Sequence, residues 1–345
     1  MAFSKDVLAI DAEAEIRSIA SSIRTQVPGV LRRKGAVVAV SGGIDSATCA
    51  ALCAKALGPE HVLALFLPER DSSPASLALG RLLAARLGIP SVTEDIAPVL
   101  EGAGCYRSQL EAVQMVFPEA DASWKFKIVI PSLLKGERLN LSRLTVEPPA
   151  AGADASGTES RSERMSIQSY LQLVAATNFK QRTRTMMAYY HADRLNYAVC
   201  GTPNRLEYDQ GFFVKGGDGL ADFKPIAHLY KTQVFEVARA LGVPVEILER
   251  TPTTDTFSLA QTQEEFYFAL PYGLMDLCLY GHNHGVPAGE VAACIGLAAD
   301  QVERVYRDID GKRRGTLPLH VTSLLASPVP EIEQMLTAAT ASPIE

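Results

Sequence analysis

The chain lacks the marks of several protein classes. None of its six cysteines sits in a C-x-x-C pair, so nothing suggests a zinc ribbon, and the scattered thiols read as reduced cysteines of a cytoplasmic protein. No apolar run reaches the ~18 residues that a membrane span needs. Positive charge is not in excess: 33 Lys and Arg against 39 Asp and Glu leave a net charge of −6, which gives no general field for nucleic acid. Asp6, Asp11, Glu13 and Glu15 make the N-terminal region wrong for a secretory leader. No Walker A run and no internal repeat occurs. What is present, 47% hydrophobic and 21% charged residues over 345 positions, fits a globular protein of one large decorated domain or two.

The most informative stretch is Ala36-Val37-Val38-Ala39-Val40-Ser41-Gly42-Gly43-Ile44-Asp45-Ser46, with an Ala- and Leu-rich run to Leu57. Five small or β-branched apolar residues predict a strand buried on both faces, two glycines a turn, and the following run a helix. A strand-to-helix turn this tight gathers unpaired backbone N–H groups at the helix N-terminus, which is an anion site. Gly42 and Gly43 let a phosphate approach the backbone, Ser41 and Ser46 add hydroxyls, and Asp45 suits a cation that balances phosphate charge. A hydrolase nucleophile elbow built on Ser41 would leave Asp45 and Ser46 idle and needs a His that nothing identifies. The bland alternative is a ligand-free glycine turn.

Along the chain, residues 5–27 predict one or two helices ending before Pro28-Gly29. Val62 to Leu67 predicts a second buried strand, Ser73 to Leu87 a helix closed by Gly88, and Ser91–Thr93 a short strand. Strands alternating with helices give a parallel α/β sheet with helices on both faces, whose ligands bind beyond the carboxyl ends of the strands. From about 102 to 165 the pattern fails, and the region reads as an insertion. Lys127–Ile130 is its one strand-like run, and Pro149–Ser162 has too few apolar residues to order itself. A helix over 169–193, a strand at Tyr197–Cys200 and a helix over 229–241 follow, then helices to about Ala326. The expected organisation is a helical arm (1–30), an α/β core (31–250) carrying the insertion, and a helical extension (251–345). Cys49 and Cys53, one turn apart on an apolar helix, read as core packing. His282 and His284 read as loop residues, without metal-ligand spacing.

Ser41-Gly42-Gly43-Ile44-Asp45-Ser46 resembles the SGGxDS pyrophosphate loop of the ATP-pyrophosphatase (PP-loop) superfamily, with its adenine-nucleotide alpha hydrolase-like core. The cysteine pairs frequent in its sulfur-transfer branch are missing. Further on come Asn178 to Met186, Gly201-Thr202-Pro203-Asn204-Arg205-Leu206-Glu207, Lys215 to Asp218, Asp222, Leu229-Tyr230-Lys231-Thr232-Gln233 and Pro252-Thr253. Together and in this order they closely resemble the ammonia-dependent NAD synthetases. The resemblance implies a homodimeric, AMP-forming ligase that adenylates the carboxylate of deamido-NAD with ATP and Mg²⁺ and amidates it with ammonia. It implies Ser41, Gly42, Gly43, Asp45, Ser46, Thr202, Lys231 and Thr253 at ATP, with Asp45, Lys231 and Glu207 as the catalytic set. Asp45 and Glu207 would be magnesium ligands, and Arg182, Lys215, Asp222 and Lys312 would hold the acid.

Taken singly, Arg182 and Arg184 read equally well as solvated or paired charges, Lys231 as a surface lysine, and Glu207 and Asp222 as anonymous loop carboxylates. Gly311 stands where the family usually has His, and Gln263-Glu264-Glu265 replaces Thr-Asp-Glu. The insertion is absent from the compact bacterial form. ATP-side positions match more fully than acid-side ones, so two further readings stand beside the first. One is a sister amide ligase acting on another carboxylic acid, with room for a separate glutaminase partner. The other is a nucleotide-binding regulator without turnover, against which the joint presence of Asp45, Glu207 and Lys231 argues.

Overall fold

The structure, a computed structural model, describes residues 3–130, 142–149, 160–251, 257–259, 261–262, 267–268 and 270–341. Asp11 caps α1 (Ala12–Arg24) by accepting from the Ala14 N–H, and Ile16, Ile19, Ala20 and Ile23 are buried along one face. The expected stop before Pro28 is not observed. The chain continues as a wide π-type turn over Thr25–Val30, closed by the Leu31 N–H on the Gln26 carbonyl at 2.8 Å. Widening the turn moves the preceding carbonyls away from the proline ring, which a regular helix cannot do.

The core is the alternation expected from the sequence, β1 (Ala36–Ala39), α2 (Ile44–Leu57), β2 (Val62–Phe66), α3 (Pro74–Leu87) and β3 (Ser91–Thr93), followed by two helices the sequence did not predict, α4 (Ala97–Gly102) and α5 (Cys105–Gln114). The strands form a parallel sheet in the order β3-β2-β1-β7, where β7 is Ala198–Cys200; Ala36 registers with Val62 on one side and Ala198 on the other. Side chains alternate across this sheet. Val38, Ala64 and Phe66 face α1 and α2, while Val37, Leu63, Leu65 and Val199 pack with Ala188 and Ala192 from the opposite side. Both faces are covered, which is why β2 is apolar without interruption.

The inserted region is more ordered than its composition suggests. Strands β4 (Lys125–Val129), β5 (Arg143–Glu147) and β6 (Arg161–Arg164) form an antiparallel sheet in that order. Phe126, Ile128, Leu144 and Val146 bury one face against Phe117, Leu173 and Phe257. Two expectations are corrected here. Cys105–Gln114 is a helix, because Ala112 and Val113 bury against the long helix that follows; and Arg161 and Ser162 belong to β6, held by pairing with β5 and by Arg161 on Glu119 at 2.6 Å. The expected unstructured tail otherwise falls on 150–159, outside the described residues.

Helix α6 (Ile167–Leu195) runs from the inserted sheet back under the parallel sheet, and β7, α7 (Arg205–Gln210), α8 (Lys231–Ala240) and α9 (Val245–Leu248) complete the core. Helices α10 (Tyr272–Asn283), α11 (Ala288–Ile295), α12 (Ala299–His320) and α13 (Pro330–Ala341) follow. The first three share a second core with Leu206 and Tyr230. His282 lies in the last turn of α10 rather than in a loop, 3.1 Å from Asp310.

Candidate active site

The loop after β1 is built on one obligatory glycine. Gly42 has φ +75°, and a Cβ there would stand 2.5 Å from the Ser76 carbonyl oxygen. Hydroxyls lock the remainder: the Ser41 N–H donates to Ser46 Oγ at 3.2 Å, and Ser46 Oγ donates to the Gly43 carbonyl at 3.0 Å. Gly43 is the N-cap of α2 and offers no side-chain acceptor, so the first amides of a 14-residue helix stay open to an anion.

Beside this loop Asp45, Asn204, Glu207 and Lys231 meet. Lys231, the first residue of α8, is fully buried and its Nζ donates to Asp45 Oδ2. Asn204 Nδ2 donates to Asp45 Oδ1 at 3.1 Å, while its Oδ1 caps α7 by accepting from the Leu206 and Glu207 amides. Glu207 returns the cap, accepting from the Asn204 N–H at 3.1 Å. Burial, and after it the nearby Asp45 charge, push the Glu207 carboxyl up to about 8. From α10, the buried Asp276 accepts the Lys231 and Thr232 amides at 3.2 and 2.8 Å, capping α8 and fixing where Lys231 begins; burial raises its carboxyl to about 6. The two glycines and the carboxylates thus come together from distant parts of the sequence.

Of these, Asp45 and Glu207 border a cavity of about 610 Å³ at the carboxyl end of the parallel sheet. Ser41, Gly43, Asp45, Ser46, Thr202, Glu207, Arg182 and Lys215 line it. Gly42 lies just behind the wall, and Lys231 reaches the site through Asp45. The other acid-side residues are placed differently. Asp222 is not at the cavity: its carboxylate accepts from the Val199 amide at 2.7 Å and from the Tyr189 hydroxyl at 3.2 Å, joining the 222 region to β7. Asp218, four residues earlier, lines the cavity instead. Lys312 is also elsewhere, held by Asp308 and the Tyr267 carbonyl, both at 2.7 Å, and burial lowers its pKa. Lys215 directs its Nζ to the Pro318 and Val321 carbonyls at 2.7 and 2.9 Å, at the end of α12. Thr253 lies outside the described residues.

Three contributors escaped the sequence reading. Asn204 stood inside the quoted motif without a role. Asp218 stood beside Asp222 in one short run. Arg250, just before the Pro252-Thr253 motif, lines the cavity and binds its loop, donating to the Gly42 carbonyl at 3.3 Å and to Ser76 Oγ at 2.8 Å. Cys49, Cys53 and Cys200 form a buried thiol cluster beneath the site, with Cys53 and Cys200 sulfurs 3.9 Å apart.

The chain is similar to known proteins. The profile of the NAD synthase family matches residues 15–117 and 151–314. An NH(3)-dependent NAD(+) synthetase of Mesorhizobium japonicum is 58% identical over 325 residues, 94% of this chain and 100% of that protein. One from Thermotoga maritima is 38% identical over 248 residues, 71% of this chain and 79% of the relative. Among solved structures, an NMN synthetase from Francisella tularensis aligns with TM-score 0.62 at 22% identity, over 92% of this chain and 99% of that one. An NH3-dependent NAD synthetase from Campylobacter jejuni aligns with TM-score 0.56 at 19% identity, over 92% and 100%. At such identities the two structures are similar in fold.

Proposed function

The chain belongs to the NAD synthase family, and from that premise we propose that its cavity amidates deamido-NAD with ammonia at the expense of ATP, yielding NAD, AMP and pyrophosphate. A carboxylate repels nucleophiles and has an oxide for a leaving group, so it must first be activated. One carboxylate oxygen of the acid attacks the α-phosphorus of ATP, the bond to the β-phosphate oxygen breaks, and pyrophosphate leaves. Ammonia then attacks the acyl carbon, loses a proton, and the C–O bond breaks to release AMP. Positioning and charge balance are what the protein supplies.

The observation that carries this reading is the meeting of Lys231, Asp45 and Asn204 at the open N-terminus of α2. Amides from Gly43 onward would hold the leaving pyrophosphate, with the hydroxyls of Ser41, Ser46 and Thr202 around it. Lys231 brings a buried positive charge to the same end, Arg250 keeps the loop in shape, and Thr253 is assigned to ATP by the family resemblance alone. Arg182 and Asp218 are the cavity residues best suited to orient the acid.

Asp45 and Glu207 also fit a magnesium ion. Two carboxylates drawn into one desolvated corner repel each other, as the raised Glu207 carboxyl records, and a hard divalent cation relieves that cost. Among the described residues no cluster of three His, Cys, Asp or Glu groups forms a site of its own, and magnesium bound through carboxylates and substrate phosphates needs none. When bound, the ion would neutralise charge on the triphosphate.

Helix α6 supports a homodimer. Ile167, Leu171, Phe179, Met186 and Tyr190 stay exposed along one side of it at helical spacing. Replacing Met186 by Glu should shift the sedimentation coefficient to that of a monomer; an unchanged value would move the dimer interface elsewhere. No described helix is long and apolar enough to cross a membrane, and we read the location as cytoplasmic. Ammonia is read as arriving free rather than from a separate glutaminase. Incubating the purified chain with ATP, Mg²⁺, ammonium and deamido-NAD tests the amidation: NAD and AMP in equal amounts are expected. AMP formed only with a different acid would favour the sister ligase, and no AMP at all the regulator.

A further inference from the structure

We propose that the inserted sheet is a positioning element: its β4 edge holds the far wall of the cavity and so sets how tightly an adenine nucleoside is bound there. This rests on the proposed function, which brings two adenine nucleotides, ATP and the dinucleotide acid, to the cavity.

A three-stranded sheet has two open edges, each with a row of backbone groups in need of partners. The edge at β4 is filled from within the chain. Phe126 N–H donates to Ser258 Oγ at 2.8 Å, across a separation of 132 residues, and Leu259 N–H donates to the Phe126 carbonyl at 3.2 Å. Gln261 Nε2 donates to the Ile128 carbonyl. Phe257 packs edge-on against Phe126, with centroids 6.1 Å apart, in the core shared by the inserted sheet and α6. Ser258, Leu259 and Gln261 therefore take up backbone groups of the β4 edge much as a further strand would.

Arg250 binds the pyrophosphate-type loop, Ser258, Leu259 and Gln261 bind the β4 edge, and Arg250, Thr251 and Phe257 all line the cavity. Ile128, Ile130 and Ser142 of the insertion line it too, opposite Tyr170 and Val174 of α6. From Arg184, whose guanidinium donates to the Leu67 carbonyl at the carboxyl end of β2, to Tyr170 is 14 residues of α6, roughly 21 Å at helical rise. The cavity thus has a polar inner end at the glycine loop and an apolar outer end walled by the insertion. Phosphates and the reacting carboxylate belong at the inner end. An apolar slot lined by Ile130, Val174 and Phe257, with Tyr170 beside it, suits a planar base. The inner end has its own bonds through Ser46, Asn204 and Arg250, so loosening the outer wall acts on binding and leaves the chemistry alone.

The test is the double variant Ser258→Ala/Gln261→Leu, which removes two bonds to β4 without altering a residue that lines the cavity. Dissociation constants for ATP and for deamido-NAD by titration calorimetry, and kcat and both KM values, are compared with wild type. At least fivefold weaker binding of one nucleotide is expected, with kcat within twofold and the number of active sites unchanged; the nucleotide affected identifies whose adenine lies at the outer wall. Ser258→Thr, which keeps an acceptor for the Phe126 N–H, should bind within twofold of wild type. Unchanged binding of both nucleotides in the double variant would overturn the proposal. So would a fall in kcat at unchanged KM, or a loss explained by fewer folded molecules. Wild-type turnover reports separately on the proposed function, since the calorimetric comparison reads the wall whether or not NAD is formed.

Discussion

Replacing Glu207 by Gln should move stability and activity in opposite directions. Glu207 is buried, and its carboxyl sits near 8 against an ordinary 4.5, mainly through burial and then through Asp45. The unfolded chain gives up this proton near pH 4.5 while the folded chain keeps it to near pH 8, so between those values the native state binds the extra proton. The stability tied to that proton is fully present below pH 4.5 and is lost as pH rises through 8. At pH 7.5 the loss is on the order of 4 kcal/mol for a wholly buried group, at 1.36 kcal/mol per tenfold change in proton binding. Gln cannot ionise and escapes this loss, while its carbonyl oxygen can still accept from the Asn204 N–H that closes the α7 cap. In the absence of ligand and magnesium, the variant should therefore match wild type in melting temperature at pH 5 and exceed it by several degrees at pH 8. With substrates present, loss of one proposed metal carboxylate should lower AMP formation by at least a thousandfold, an effect of about 4 kcal/mol. Scanning calorimetry from pH 5 to 8 and pyrophosphate release measure the two halves. A variant less stable than wild type at pH 8, or one releasing pyrophosphate at a near-normal rate, would refute the reasoning.

Asp45→Asn should likewise abolish AMP formation, by at least a thousandfold in pyrophosphate release, while circular dichroism shows an intact fold; near-normal release would remove Asp45 from the metal site. Gly42→Ala should lower stability by about 1–3 kcal/mol in urea unfolding and weaken ATP binding, because φ +75° and the Ser76 carbonyl at 2.5 Å both oppose a Cβ. Unchanged unfolding would mean that the loop relaxes around the methyl group. Arg182→Ala should raise the KM for the acid at least tenfold and leave that for ATP within twofold. Lys215→Ala should do so less, because its Nζ is already occupied by carbonyls at the end of α12; the reverse order of effects in steady-state kinetics would contradict that placement.

Much of the site was legible because local pattern and chemistry coincide there. The buried residues of β1 and β2 alternate between two faces, and the glycines after β1 mark the one place where the chain must turn tightly into α2. Asn204-Arg205-Leu206-Glu207 carries its capping pattern in sequence. The less legible parts depend on partners far along the chain. Helix α5 is recognisable only once α6 packs on it, and β6 is an exposed, charged strand held by β5. Nothing in the run from Asp218 to Asp222 says which carboxylate faces the cavity; the Val199 amide claims Asp222, while Asp218, accepting from the Val214 N–H at 2.7 Å, lines the cavity. Arg250 is one basic residue among 33, distinguished only by the loop it reaches.

The central claim is that the carboxylate itself attacks the α-phosphorus of ATP. Deamido-NAD labelled with ¹⁸O in its carboxylate, turned over with ATP, Mg²⁺ and ammonium, tests it by mass spectrometry of the products. One ¹⁸O per molecule of AMP and none in pyrophosphate is the predicted result. Unlabelled AMP, or label in inorganic phosphate or pyrophosphate, would contradict it.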